Sequence, residues 1–204
     1  MNRSKAAFVA MGAILLCGLV QAEPTVGDAV KVNADDIVCS VVPVKSRLKV
    51  GGYPEATVKI RNVGAQSVLL VRSLDGSSRV GRYPHVYFDV IGPPGGVHAG
   101  GLPGCGTLNA IRSEDFVVLE PGASFVPRGS GESAAFVPDL SLGMMVNLLE
   151  SGEYTIVFHY STDEGDPMRW QGAVPTIESD LVEKLRHVPR LTISCSTTLT
   201  VDQR

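Results

Sequence analysis

Gly152-Glu153-Tyr154-Thr155-Ile156-Val157-Phe158-His159-Tyr160 is the stretch that decides the fold. Tyr154, Ile156, Phe158 and Tyr160 recur at every second position, and an extended chain sets alternate side chains on opposite faces. Aromatic and β-branched residues fit a pleated, half-buried surface, so this segment is expected to be a strand with one buried face. His159 falls on the other face beside Val157, where a surface or edge position is expected rather than a metal ligand.

The same alternation recurs upstream. Ala56, Val58 and Ile60 interleave with Thr57, Lys59 and Arg61, an apolar-in, polar-out strand. Ile37 to Val50 is β-branched and interrupted by Pro43, as expected of an edge strand that changes partners. Val68 to Leu74 is a more continuous apolar strand ending at Asp75-Gly76, and Val86 to Ile91 stops at Pro93-Pro94-Gly95-Gly96. Phe116 to Leu119 and Ser124 to Val126 flank Pro121-Gly122, as a hairpin or a kinked strand pair; Leu191 to Val201 is the last strand. Residues 92–113 hold seven of the 22 glycines and three prolines, which marks a long loop.

Helical spacing occurs once clearly, at Ile177, Leu181, Val182, Leu185 and Val188, and Pro189 ends it. A second short helical turn is expected within Asp139 to Leu149. Seven or eight short strands and one helix near 177–188 make the expected fold an all-β sandwich with long loops. With no internal repeat or linker after Ile37, residues 37–204 are expected to form one domain behind a polar arm, residues 23–36.

The first 22 residues have a different character. Arg3 and Lys5 precede an apolar run from Ala6 to Val20, which closes on Val20-Gln21-Ala22. A charged start, a short apolar core and small residues before a polar turn describe a cleaved secretory signal. The run is shorter than the roughly 20 residues that span a bilayer, which disfavours an anchor. Leu16 before Cys17 disfavours lipidation. Cleavage after Ala22 leaves 182 of the 204 residues. Taking Arg3 and Lys5 from the 18 basic residues leaves 16 against 21 acidic, a net charge of −5. The mature chain is expected to be exported, periplasmic or extracellular, and not membrane-spanning. Nucleic acid is not expected as a partner, because the basic residues neither dominate nor cluster.

Cys39, Cys105 and Cys195 remain after cleavage. In an oxidising compartment they form one disulfide and leave one thiol, with three pairings open. First and last strands are often neighbours in a sandwich, which favours Cys39–Cys195; Cys39–Cys105 is the next choice. The favoured link closes nearly the whole chain and is worth about 4–5 kcal/mol by loop entropy.

Three segments carry a resemblance. Leu48-Lys49-Val50-Gly51-Gly52 leads into Ala56-x-Val58-x-Ile60-x-Asn62-x-Gly64; Leu119-x-Pro121-Gly122-x-x-Phe125 follows; Gly152-x-Tyr154-x-Ile156-x-Phe158-x-Tyr160 is the third. In this order they resemble bacterial exported immunoglobulin-like domains over residues 37 to 160. The resemblance implies an immunoglobulin-like β-sandwich whose tyrosine at 154 hydrogen-bonds back to the preceding loop. It departs from antibody domains: Ile156 stands where their second core cysteine falls, and Trp170, the only tryptophan, comes after this strand. It implies binding or a structural role, with a protease-inhibitor-like function as the alternative.

No nucleophile elbow, zinc helix, C-x-x-C pair or P-loop is present, so no catalytic residue, metal ligand or cofactor is expected. His98 and Cys105 in the glycine-rich loop raise a cysteine-dependent envelope enzyme as a second alternative, although Pro103 stands where such enzymes carry their histidine. The acidic turn Asp163-Glu164-Gly165-Asp166 offers too few oxygens for calcium and is expected to be solvated. Trp170 beside Arg169 is either an anchor for a protein or sugar ring, or a cover for the sandwich end packed on the 177–188 helix. Arg79, Arg82, Tyr83, His85 and Tyr87 form a cationic-aromatic stretch, read as a recognition loop or as a link between sheets bent at Pro84. The candidate binding residues are therefore Trp170, Arg169, Arg82, Tyr83 and His85. The expected partner is a protein or cell-envelope component.

Overall fold

Alternation becomes architecture in strand β9, Gly152–Ser161, where Tyr154, Ile156, Phe158 and Tyr160 are all buried. The computed structural model describes residues 34–74, 76–79, 81–93, 99–100, 110–127, 148–172 and 177–203. Preceding β9 are β1 (Ile37–Pro43), β2 (Arg47–Lys49), β3 (Ala56–Asn62), β4 (Val68–Val71), β5 (His85–Ile91), β6 (Ala99–Gly100), β7 (Phe116–Leu119) and β8 (Ser124–Phe125). Helix α1, Ser179–His187, and strand β10, Thr192–Asp202, complete the chain.

The strands form sheets ordered β1-β3-β8, β2-β10-β9-β5-β6 and β4-β7. Their inward side chains meet in one cluster, with Val41, Val58 and Ile60 from the first sheet and Val86, Phe88, Ile156, Phe158 and Leu199 from the second. Phe88 and Phe158 meet edge to face, 5.4 Å between centroids. Among the described residues the fold is all-β apart from one α-helix and short 3-10 turns.

Ten strands are found among the described residues, against the seven or eight expected. Two segments account for the excess: β6 forms inside the glycine-rich loop, and the run from Ile37 to Val50 is two strands. The break falls at Pro43, which has no N–H for a ladder. Before it, β1 pairs antiparallel with β3; after it, β2 runs parallel to β10 in the other sheet. The expected partner change is therefore observed. At Pro121-Gly122 the chain is kinked and not a hairpin: β7 pairs with β4, and β8 pairs with β3. Gly122, at φ +77°, makes the turn between them.

Three polar contacts hold these pieces in place. Asn62, fully buried, donates to the carbonyls of Gln66 (2.7 Å) and Leu119 (2.8 Å) and accepts from the N–H of Gly64 (2.9 Å), tying the β3–β4 turn to β7. The Tyr154 hydroxyl donates to the carbonyl of Glu150, 3.1 Å away, as the Gly-x-Tyr resemblance implies. Gly152 enters β9 at φ +145°, where a Cβ would also meet Pro93 at 2.5 Å, so this corner requires glycine. Cys39 of β1 and Cys195 of β10 stand at disulfide distance across the two sheets, with 5.7 Å between Cα atoms. Cys105 and most of residues 139–149 lie outside the described residues.

A second buried cluster closes one end. Val71, Leu74, Ile111, Trp170, Leu181, Leu185 and Val188 pack together, with Tyr83, Phe116 and Ile177 partly buried against them. Of the apolar positions expected from the spacing, helix α1 (Ser179–His187) contributes Leu181 and Leu185, while Ile177 and Val188 lie just outside its ends. Lys184 lies 5.7 Å from the Phe116 ring and donates to the Ser113 hydroxyl at 3.0 Å, fastening the helix over β7.

Candidate binding surface

Two loops meet beside this second cluster. One runs from Gly76 into β5, the other from Thr162 to Gly172. In the first, the Ser77 hydroxyl accepts from the N–H of Leu74 (2.9 Å) and Arg82 N–H donates to the Gly76 carbonyl (3.1 Å), so the chain closes on itself before Tyr83. In the second, Asp166 caps a short helical turn, Pro167–Trp170, by accepting from Met168 N–H at 2.9 Å. Glu164 accepts from Asp166 N–H at 2.9 Å and lies 3.8 Å from the Arg169 guanidinium. Glu164 and Asp166 thus spend their carboxylates on backbone donors and a neighbouring cation.

The loops are joined by the N–H of Tyr83, which donates to the carbonyl of Arg169 at 3.0 Å. Tyr83 packs on Trp170, centroids 5.5 Å apart, and stacks on His85 at 3.7 Å. All five residues singled out in the sequence therefore come together, but in two layers. Trp170 (0% exposed) and Arg82 (4%) are buried, which for Trp170 is the cover of the sandwich end rather than the exposed anchor. Trp170 covers the end of the sandwich against α1, because an indole of that size is better stabilised by burial than by water. Arg169, 54% exposed, and Met168 reach solvent, while Tyr83 and His85 are half-buried between them and the core.

The surface continues along the outer face of the five-stranded sheet. Register pairs Tyr87 of β5 with His159 of β9, and their rings stack at 4.6 Å. His159 Nε2 is 3.1 Å from an Asp89 carboxylate oxygen. Arg79 lies over the Tyr87 ring at 4.6 Å and pairs with the same Asp89. Sequence reasoning found Arg79 and Tyr87 but missed Asp89 and His159 as their partners. The alternation shows which face each occupies; only the β5–β9 register shows that they touch.

Electrostatics follows burial. Desolvation is the main cause that lowers the His85 pKa below its ordinary value, with the Arg169 charge adding to it and the Gly81 carbonyl opposing it. Burial raises the Tyr83 phenol, helped by Glu164 and Asp163. The loop pair thus holds a neutral imidazole and a neutral phenol at pH 7 beside the exposed Arg169 guanidinium. Among the described residues no three His, Cys, Asp or Glu side chains converge to hold a metal, and no helix is long and apolar enough to cross a membrane. His98 and Cys105 lie outside the described residues. No family model, no curated protein and no solved structure matches the chain.

Proposed function

We propose that this is an exported, non-enzymatic immunoglobulin-like domain that binds a protein or a cell-envelope component. Its contact surface is formed by Met168, Arg169, Tyr83, His85 and the Arg79–Tyr87–His159 group. The observation that carries the reading is the Tyr83–Arg169 junction, which gathers two distant loops into one exposed surface over a rigid end cluster. Tyr, Arg and Met are the residue types enriched where proteins meet, and a pre-packed aromatic base lowers the ordering cost of binding. The immunoglobulin-like reading is supported by β1 and β2 dividing between the two sheets, and by the Tyr154–Glu150 contact at the entry to β9. Export is supported by the charged-then-apolar start, and by cysteines at disulfide distance, which suit an oxidising compartment.

The test is site-specific photocrosslinking in cells, with the photoreactive residue at Met168, at Arg79 or, as a control on the opposite sheet, at Lys59. The expected result is one discrete adduct from Met168 and Arg79, absent from Lys59 and abolished by Arg169→Glu. Adducts equally strong at Lys59, or none at Met168 and Arg79, would sink the proposal.

A further inference from the structure

Gly165-Asp166-Pro167-Met168 holds the single Asp-Pro peptide bond of the sequence, in the turn where the two loops of the candidate surface meet. Three features of that bond come together there. The first is a nucleophile. Pro167 has no N–H, so the Asp166 cap bonds one residue further on, with Oδ1 accepting from Met168 N–H at 2.9 Å. A carboxylate that reaches this N–H must lie on the carbonyl side of its own Cα, folded back toward the Asp166–Pro167 bond. Asp166 is exposed, and its Oδ2 makes no hydrogen bond or ion pair among the described residues. The second is the electrophile. The Asp166 carbonyl accepts from Arg169 N–H at 3.0 Å, a donor already in place for charge that develops on that oxygen. The third is the leaving group, because the proline nitrogen is a tertiary amide and more basic than an ordinary peptide nitrogen.

We propose that the chain cleaves itself here, between Asp166 and Pro167. Oδ2 attacks the Asp166 carbonyl carbon, and an electron pair of the C=O bond moves to the oxygen held by Arg169 N–H. Its return breaks the C–N bond, and that pair leaves on the Pro167 nitrogen, which takes a proton from a solvent acid. Asp166 is left as a five-membered cyclic anhydride, which one water opens to two carboxylates. Nothing is oxidised or reduced. The reaction runs once per chain and turns over no substrate. The fold keeps the two products together. Residues 167–204 include β10, laddered to β9 from Thr192 to Val201, and Trp170, Leu181 and Leu185 of the end cluster. Cys195 in this product stands at disulfide distance from Cys39 in the other. What changes is the candidate surface, where the cut sets a proline amine and two carboxylates beside Met168 and Arg169. Cleavage is thus a maturation step, whatever the surface binds.

Intact mass spectrometry of the mature chain, held at mildly acidic pH and sampled over time, tests this. The expected result is a gain of one water without reduction, after which reduction releases a fragment that begins at Pro167. The folded chain should cleave at least about tenfold faster than the same chain in denaturant, the advantage of a nucleophile held in place. Asp166→Ser keeps a capping oxygen for Met168 N–H but has no carboxylate, and should stay intact over the same period. Asp166 is exposed, so this substitution leaves the core as it is. A folded chain that is never cut overturns the proposal. So does a folded rate no higher than the denatured one, which is the ordinary acid lability of the dipeptide. A cut that persists in Asp166→Ser overturns it as well, because the agent is then a protease.

Discussion

The two buried clusters are built on different principles. The sandwich cluster around Phe158 is made of strands whose inward residues alternate, so each side chain's place follows from its neighbours two positions away. The end cluster around Trp170 draws on one strand, three loop segments and one helix, and no local period links Val71, Ile111, Trp170 and Leu185. The first is repetitive and locally specified. The second exists only once distant pieces have met. Function on the proposed reading sits on the second, because only there do separate loops share one support.

The sharpest way to break this comparison is a matched pair of truncations. Phe158→Ala and Trp170→Ala each remove a fully buried aromatic and should cost about 3–5 kcal/mol in chemical denaturation. Their local signatures should differ. Hydrogen exchange in Trp170→Ala should speed up at Val71 and along Leu181–Val188 before it does in β9 and β10, whereas Phe158→Ala should loosen both sheets. If Trp170→Ala loosens β9 equally, the two clusters are one cooperative unit.

A smaller effect probes the bridge between them. Tyr160 projects from β9, and its hydroxyl donates to the Val71 carbonyl at 2.7 Å and accepts from the Val71 N–H at 3.3 Å. Burial raises that phenol above its ordinary pKa, so it stays a donor throughout the physiological range. Tyr160→Phe leaves two buried backbone groups unmet and should cost about 1–3 kcal/mol. The loss should appear as faster exchange in β4 and β7, with β10 unchanged.

The smallest expected effect is a pH dependence confined to the end cluster's surface. His85 is held below its ordinary pKa, so the unfolded chain takes up a proton first as pH falls. Stability should therefore drop below about pH 6.5, where an unperturbed histidine titrates, and the drop should continue until the folded-state pKa is passed. His85→Phe should flatten that part of the curve and leave the behaviour above pH 7 unchanged. A curve that keeps its slope without His85 would move the cause elsewhere.

Legibility in the sequence followed the same division. The buried face of β9, the alternation of β3, the break at Pro43 and the apolar stripe of α1 all rest on local periods, and each was readable. So was the first-to-last cysteine pairing, from strand position. The strand count was short by two, because a two-residue strand in a glycine-rich loop leaves no periodic trace and a proline break can end one strand or divide two. Which residues of the candidate surface touch was not readable. Tyr87 meets His159 through a register between strands about seventy residues apart, and Trp170 is buried only because α1 folds back over it. A loop tryptophan beside an arginine has the same sequence whether it faces solvent or core.

Consider, finally, the Cys39–Cys195 link as a mechanical element. It joins residues 156 apart, close to both ends of the folded unit. With the bond formed, tension applied through the termini passes from β1 directly into β10, and everything from Ser40 to Ser194 lies outside the load path. A pull could peel Ser196–Asp202 from its neighbours, lengthening the chain by only about 3.3–3.6 Å per residue released. The sandwich cluster would lose Leu199 and Val201, while the end cluster and the surface on it would keep their shape under strain. A domain wired in this way can bear force between whatever lies before and after it while its binding surface stays unloaded.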